Sequence, residues 1–211
     1  MNEFFLHLAV PLLLLGGILI IFNTLIKKDT KKNEHKFKDY IELNRKADFT
    51  RTKPIENSRF IKIDISKFPL LEEKDNLSEE EKKALKLQKE VLSSCSKKMG
   101  HFKESNLELK QLYGIANLES IIEYEENYSS FMTLLFKWAK ALAEANFKDY
   151  AITVLEEGIS LGLDLSKAII FLADLYKEKN DIPNLEKLYS LTKTSENIGM
   201  KIACSHIKTL L

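Results

Sequence analysis

The feature that most constrains this chain is an uncharged, apolar segment close to its first residue. The 23 residues between Glu3 and Lys27, residues 4–26, contain no Asp, Glu, Lys or Arg. A helix rises about 1.5 Å per residue, so this segment spans about 34 Å, enough to cross the hydrocarbon core of a bilayer. It also lacks the polar face of an amphipathic helix on a folded domain. We therefore predict that residues 4–26 form a transmembrane helix.

A cleaved signal peptide is the competing interpretation of this segment. Signal peptides begin with basic residues and end in small residues at the cleavage site. Here Glu3 precedes the apolar run, and the bulky pair Leu25-Ile26 ends it just before Lys27 and Lys28. These flanks favour an anchor that is retained in the mature protein.

The basic residues behind the anchor indicate its orientation. Positive residues remain on the cytoplasmic side of a membrane. Residues 1–3 are therefore expected outside the cell membrane, and the rest of the chain in the cytoplasm. The same residues could also bind anionic lipid head groups. Their role in setting the orientation is a sufficient explanation for them, so we favour it over a lipid-specific function. The four nearest the anchor are Lys27, Lys28, Lys31 and Lys32.

Residues 27–75 are predicted to be a basic juxtamembrane connector that contains an extended arm, residues 59–66. In this arm Ile61, Ile63 and Ile65 alternate with polar residues, which is the period of an extended segment with one buried face. Two interpretations remain open. The isoleucines pack on the domain that follows, or the arm offers an edge to a partner by strand addition.

Residues 76–211 carry the patterns of a helical domain. Ser78 and Glu81 have the spacing of a capping box, in which each side chain bonds the other residue's backbone N–H. A helix is expected from there to about Lys98, with Gly100 ending it and a return helix over residues 103–113. We interpret this first pair as a degenerate hairpin.

A period of 34 residues appears farther along the chain. Residues 132–165 and 166–199 share a size pattern, with a large–small pair in each first helix and an asparagine at each turn. The period resembles that of the tetratricopeptide repeat, a helix–turn–helix unit. The matched positions are Trp138, Ala139, Leu142, Asn146, Ala151 and Gly158, followed by Leu172, Ala173, Tyr176, Asn180, Leu185 and Thr192.

The resemblance implies an all-α fold: antiparallel helical hairpins in a right-handed solenoid behind the transmembrane helix. Residues 200–211 would form a capping helix. It also implies a concave groove that binds a partner protein. By alignment, that groove would draw on Thr133, Phe136, Lys137, Lys140, Glu144, Lys167, Ile170, Asp174, Lys177 and Glu178.

The sequence shows no pattern typical of an enzyme, a metalloprotein or a nucleic-acid-binding protein. The four histidines lie far apart and form no HExxH motif. Cys95 and Cys204 belong to no CxxC pair, and we expect them to be small, buried side chains in a reducing compartment rather than metal ligands, with a disulfide between them as the alternative. The formal net charge is only +1, whereas a nucleic-acid-binding domain has a clear basic excess. We therefore expect no catalytic residue, cofactor, metal ion or nucleic acid.

Three functions remain compatible with the sequence. The first, which we favour, is a membrane-anchored scaffold or adaptor that presents helical repeats to a protein partner at the cytoplasmic membrane surface. The second is a self-associating structural membrane protein. The third is an accessory or regulatory subunit of a membrane enzyme or transporter.

The abundance of Lys, Asn and Ile is typical of AT-rich bacterial genomes.

Overall fold

The structure is a computed structural model that describes residues 36–211, and in this part of the chain it is all-helical, as predicted. The helix α1 covers residues 36–48. It is followed by α2 (Glu79–Ser94), α3 (Asn106–Tyr113), α4 (Leu118–Glu144), α5 (Lys148–Ser160), α6 (Ser166–Glu178), α7 (Ile182–Lys193) and α8 (Ile198–Leu210). Short 3-10 helices lie at Asn57–Arg59, Ile65–Lys67 and Ile115–Asn117.

Three of the predictions concern residues outside the described range. They are the transmembrane helix at residues 4–26, the extracytoplasmic residues 1–3, and the lipid contact of Lys27, Lys28, Lys31 and Lys32. Within residues 36–211, no helix has both the length and the apolar character needed to cross a membrane.

The chain divides into two compact units. In the first, residues 36–54 lie with residues 104–118. Lys110 joins α3 to α1 through an ion pair with Asp48 at 2.8 Å. The second unit comprises residues 55–103 and 119–211. The two helices that the sequence suggests as a degenerate first hairpin, α2 and α3, thus belong to different units.

The division also differs from the predicted boundary at residue 76, because residues 55–71 form part of the second unit. Phe68 is buried, and its ring lies 5.9 Å from the ring of Trp138 in α4, centroid to centroid. Leu71 exchanges two hydrogen bonds with the Gln88 side chain: its N–H donates to Oε1 at 2.7 Å, and its carbonyl accepts from Nε2 at 3.1 Å. This stretch of the predicted connector is therefore integral to the core.

The predicted arm, residues 59–66, is extended for only part of its length. Phe60 forms a single antiparallel bridge with Gly100, and Ile61 and Ile63 pack against the core. Ile65, which the alternation also predicts to be buried, is 42% exposed. The reason is local: the Asp64 side chain accepts a hydrogen bond from the Ser66 N–H and starts a 3-10 turn, which ends the alternation.

The capping box at the start of α2 is confirmed. Ser78 Oγ accepts from the Glu81 N–H at 3.1 Å, and the Glu81 carboxylate accepts from the Ser78 N–H at 2.7 Å. The helix ends at Ser94, four residues before the predicted end at Lys98. The start of the helix is sharply predictable because the cap is a local bond, whereas its end has no comparably strong local signal.

The 34-residue period has a structural basis in two identical turns. Asn146 and Asn180 have positive φ angles, 66° and 54°. After each asparagine, the next N–H bonds a carbonyl five residues back, from Phe147 to Leu142 at 2.8 Å and from Asp181 to Tyr176 at 2.9 Å. This is a Schellman motif, in which asparagine accepts the left-handed conformation. The repeated Asn therefore marks two equivalent helix ends.

The helices α6 and α8 run parallel. Asn197, the N-cap of α8, contacts Asp164 just before α6, and His206 within α8 contacts Asp174 within α6, at separations of 33 and 32 residues. At the other connection, the α5 residue Lys148 pairs with Glu178 at the end of α6 at 2.6 Å, so α5 and α6 are antiparallel. The second unit is thus a helical repeat-like stack.

Tyr128 links the long helix α4 to the loop after α5. Its hydroxyl donates to the Gly162 carbonyl at 2.9 Å, and its ring is buried. Burial, with the Asp164 charge nearby, raises the pKa of Tyr128 to about 12, above its ordinary value of 10.0. Between these two pH values the folded chain holds a proton that the unfolded chain has lost. Stability is therefore lost as the pH rises through this window.

The Tyr128→Phe variant tests this coupling. At neutral pH we expect it to be about 0.5–1.5 kcal/mol less stable, because the Gly162 carbonyl loses its donor. From about pH 10 to 12 its stability should fall less steeply than that of the parent, so the difference narrows. Urea unfolding over this range measures both effects, with the exposed Tyr150→Phe variant as the control. Parallel pH curves for the parent and Tyr128→Phe would refute the prediction.

Candidate partner-binding surface

A long groove runs between α2 and α4 in the second unit. Two cavities of about 440 and 250 Å³ are lined by residues of both helices, and a third of about 360 Å³, lined by α4 alone, adjoins both of them. The third shares Ser130 and Leu134 with the first and Lys137 with the second, so the cavities form one continuous surface. The helices run antiparallel here, since Lys83 meets Glu144 at one end while the Lys98 carbonyl accepts from Asn127 at the other. We call this surface the α2–α4 groove.

The α2–α4 groove is rich in positive charge. Five lysines line it against two glutamates: Lys83, Lys89, Lys97, Lys137 and Lys140 against Glu90 and Glu144. Lys83 pairs with Glu144 at 2.7 Å, and Lys89 pairs with Glu73. Within residues 36–211, the other three lysines make no ion pair. The groove therefore carries a local positive charge, although the chain as a whole is nearly neutral.

The floor of the groove is apolar. Leu87 and Leu134 are partly buried and pack against the core, while Phe131 and Ala141 beneath them are buried. Hydroxyl groups of Ser93, Ser130 and Thr133 lie between the lysines. An apolar floor with cationic and hydroxyl edges suits an amphipathic segment that carries acidic residues.

Four of the five predicted groove residues on α4 line this surface. Thr133, Lys137, Lys140 and Glu144 all border its cavities. Phe136 does not, because its ring packs edge-to-face on Phe171 of α6, with centroids 6.2 Å apart. It contributes to the contact between α4 and α6 instead.

The predicted residues on α6 have different surroundings. Asp174 contacts His206 Nε2 at 2.7 Å, and Lys177 Nζ donates to the Leu210 carbonyl, so α8 lies against this part of α6. Glu178 is paired with Lys148 of α5. Lys167 is exposed and Ile170 partly buried. The ten predicted residues therefore do not line a single surface.

Sequence reasoning missed the α2 side of the groove. Lys83, Leu87, Glu90 and Ser94 follow a spacing of four, three and four residues, which places them on one face of α2, and Lys97 follows just after the helix ends. The signal was present in the sequence, but a mixed polar face on a helix usually faces solvent. Only the position of α4 shows that this face borders a groove.

Other reactive side chains provide no alternative site in the described part of the chain. No three His, Cys, Asp or Glu side chains of residues 36–211 are grouped so that they could hold a metal ion. Cys95 and Cys204 form no disulfide and are partly buried rather than buried as predicted, and burial raises the pKa of the Cys95 thiol. Burial and the hydrogen bond to Glu156 hold the pKa of Tyr176 far above its usual range, so this phenol stays neutral.

Comparisons of this chain with protein-family models, with curated proteins and with solved structures gave no match.

Proposed function

We propose that this protein is a membrane-anchored interaction module that binds a protein partner in the α2–α4 groove. Residues 4–26 would hold the chain in the cell membrane, and the helical units would face the cytoplasm. The observation that carries the proposal is the groove itself, an apolar floor bordered by Lys97, Lys137 and Lys140, which have no ion-pair partner within residues 36–211.

The chemistry of the groove defines the partner. Lysine side chains without an ion-pair partner create a positive potential at the surface. This potential attracts negatively charged ligands. The apolar floor, formed by Leu87 and Leu134, favours a ligand that also carries apolar side chains, because these would pack on it. We therefore propose that the ligand is an acidic amphipathic segment of another protein.

The repeat-like stack supports an interaction function of this kind. Two equivalent Asn turns 34 residues apart, and the parallel contact of α6 with α8, are features expected of a tetratricopeptide-like array. Proteins built from such arrays generally bind other proteins, because the stacked helices form long grooves. The tetratricopeptide-like assignment is part of the proposal.

Photo-crosslinking in intact cells, with and without the double variant Lys137→Glu/Lys140→Glu, tests the proposal. A photo-crosslinking amino acid at Thr133, in the groove, is expected to capture one acidic partner. The same amino acid at Thr153, exposed on α5, is the matched control and should not capture it. The two reversals should weaken capture about 5- to 30-fold, from about 1–2 kcal/mol of lost attraction and added repulsion.

The Lys177→Glu variant tests whether a charge reversal outside the groove also reduces capture. Lys177 lies on α6, where it donates to the Leu210 carbonyl of α8. This variant should reduce capture much less than the double variant. Capture by the crosslinker at Thr133 should also fall as salt is raised, since exposed charges are screened. Equal crosslinking at Thr133 and Thr153, or capture unchanged by the double variant, would refute the groove as the binding site.

A further inference from the structure

The helix α1, residues 36–48, is held by the rest of its unit through its C-terminal half. There Ala47 is buried against the unit. The side chains of Asn44 and Asp48 both accept hydrogen bonds from Lys110 Nζ of α3, at 3.1 and 2.8 Å. The end of α1 is therefore fixed in the unit by packing and by charge.

The first turns of the described part of α1 expose large apolar side chains. Phe37, Tyr40 and Ile41 are 64%, 53% and 49% exposed. Their spacing of three and four residues places all three on one face of the helix. Isolated exposed apolar residues are ordinary, but a Phe, a Tyr and an Ile together on one helical turn form an apolar patch. We call these three residues the α1 patch.

The other side of α1 is polar. Lys38, Glu42, Arg45 and Lys46 are exposed there, and Glu42 pairs with Lys46 at 2.8 Å. The helix is thus amphipathic, with basic side chains beside its apolar patch. This arrangement is typical of helices that lie in the interface of a bilayer, where the basic side chains reach the head groups.

The position of α1 in the chain identifies the surface that would cover the patch. The apolar segment predicted to cross the membrane ends at Ile26, ten residues before Lys36. Ten residues span at most about 35 Å, so the α1 patch is tethered within that distance of the membrane core. Lys27, Lys28, Lys31 and Lys32 lie on this tether and favour anionic head groups.

We propose that the α1 patch inserts into the interfacial region of the bilayer. The same helix face continues to Asn44 and Asp48, which contact Lys110 of α3, so α1 enters the interface at the end that carries the patch, and α3 stays outside the bilayer. Phe37 and Ile41 enter the acyl boundary, and Tyr40 lies at the head-group level, where the tyrosine ring and hydroxyl are both accommodated. The membrane then fixes the first unit at two points, the anchor and α1. This inference rests on the membrane anchor of the proposed function but is independent of the α2–α4 groove.

Fluorescence quenching by brominated lipids tests the insertion. The full chain carrying Phe37→Trp would be reconstituted into vesicles of phosphatidylcholine and phosphatidylglycerol with brominated acyl chains. The native Trp138 is fully buried in the second unit and serves as the internal reference. The matched control is Glu42→Trp, on the polar side of the same helix and close to Phe37 along it. We expect quenching at position 37 to exceed that at position 42 at least about twofold.

Retention of the chain in membranes after carbonate washing reports separately on the anchor. Loss of the chain from washed vesicles would refute the anchor and, with it, this inference. If the chain is retained but the indole introduced at position 37 emits as a solvent-exposed group, only the insertion of α1 is refuted. A blue-shifted indole at this position that bromine does not quench would also overturn it, because protein, either residues 1–35 or a second copy, would then cover the patch.

Discussion

Replacing Trp138 with alanine is expected to lower the free energy of unfolding of the second unit by about 3–5 kcal/mol. Trp138 is fully buried in the C-terminal half of α4, beside the small residue Ala139, and its ring contacts Phe68. Removing the indole leaves a cavity among Leu135, Leu142 and their neighbours, which a helical stack cannot close without moving whole helices. Such a loss is a large share of a typical total of about 5–15 kcal/mol.

The Trp138→Phe variant separates packing from hydrogen bonding. Trp138 Nε1 is buried and has no hydrogen-bond partner among residues 36–211. Phenylalanine removes this unpaired donor and keeps most of the aromatic volume, so we expect a loss of at most about 1.5 kcal/mol. Urea unfolding of the full chain in mild detergent measures both variants. The exposed Ile202→Ala variant is the surface control, with an expected change within about 0.5 kcal/mol.

Adding Phe68→Ala tests whether residues 55–71 belong to the core. The Phe68 and Trp138 rings are in contact, so a double-mutant cycle should give a coupling of about 0.5–1.5 kcal/mol. Additive losses would mean that the segment does not pack on α4. A Trp138→Ala variant as stable as the parent would contradict the packing of α4 altogether.

Replacing Gly114 with alanine is expected to disrupt the first unit. Gly114 ends α3 with φ 82° and ψ 156°, a backbone conformation that is essentially restricted to glycine. An added Cβ would also lie 2.9 Å from Thr52 Cα and 3.0 Å from the Thr50 carbonyl oxygen, and backbone atoms cannot move aside as a side chain does. The conformational strain alone costs about 1–3 kcal/mol, and the clash adds to it.

Amide hydrogen exchange locates this effect. Next to Gly114, the Lys53 N–H donates to the Tyr113 carbonyl at 3.1 Å, and the Asn117 side chain donates to the Lys53 carbonyl at 2.7 Å. Both bonds should weaken in Gly114→Ala, so the Lys53 amide should exchange faster. Gly199→Ala, in α8 and without a positive φ, is the control that should leave this amide unchanged. Unchanged exchange at Lys53 in Gly114→Ala would contradict the close approach of the two backbones.

Features that depend on a few neighbouring residues could be predicted from the sequence. The cap of α2 joins Ser78 to Glu81, and each Asn turn closes bonds within six residues. The 34-residue period follows from these turns, and the all-α class follows from the helical spacing of apolar residues. Such bonds form in the same way wherever the segment lies, so the local sequence contains the information.

Features that depend on distant residues required the tertiary structure. The groove exists because α2 lies along α4, which brings Lys83 beside Glu144, 61 residues later. The candidate residues Asp174 and Lys177 have partners on α8 because the chain returns there. The grouping of residues 104–118 with residues 36–54 is equally non-local. Helix caps, turns and periods are fixed by short-range bonds in the sequence itself, whereas the choice of which helix faces meet depends on burying apolar surface across the whole chain.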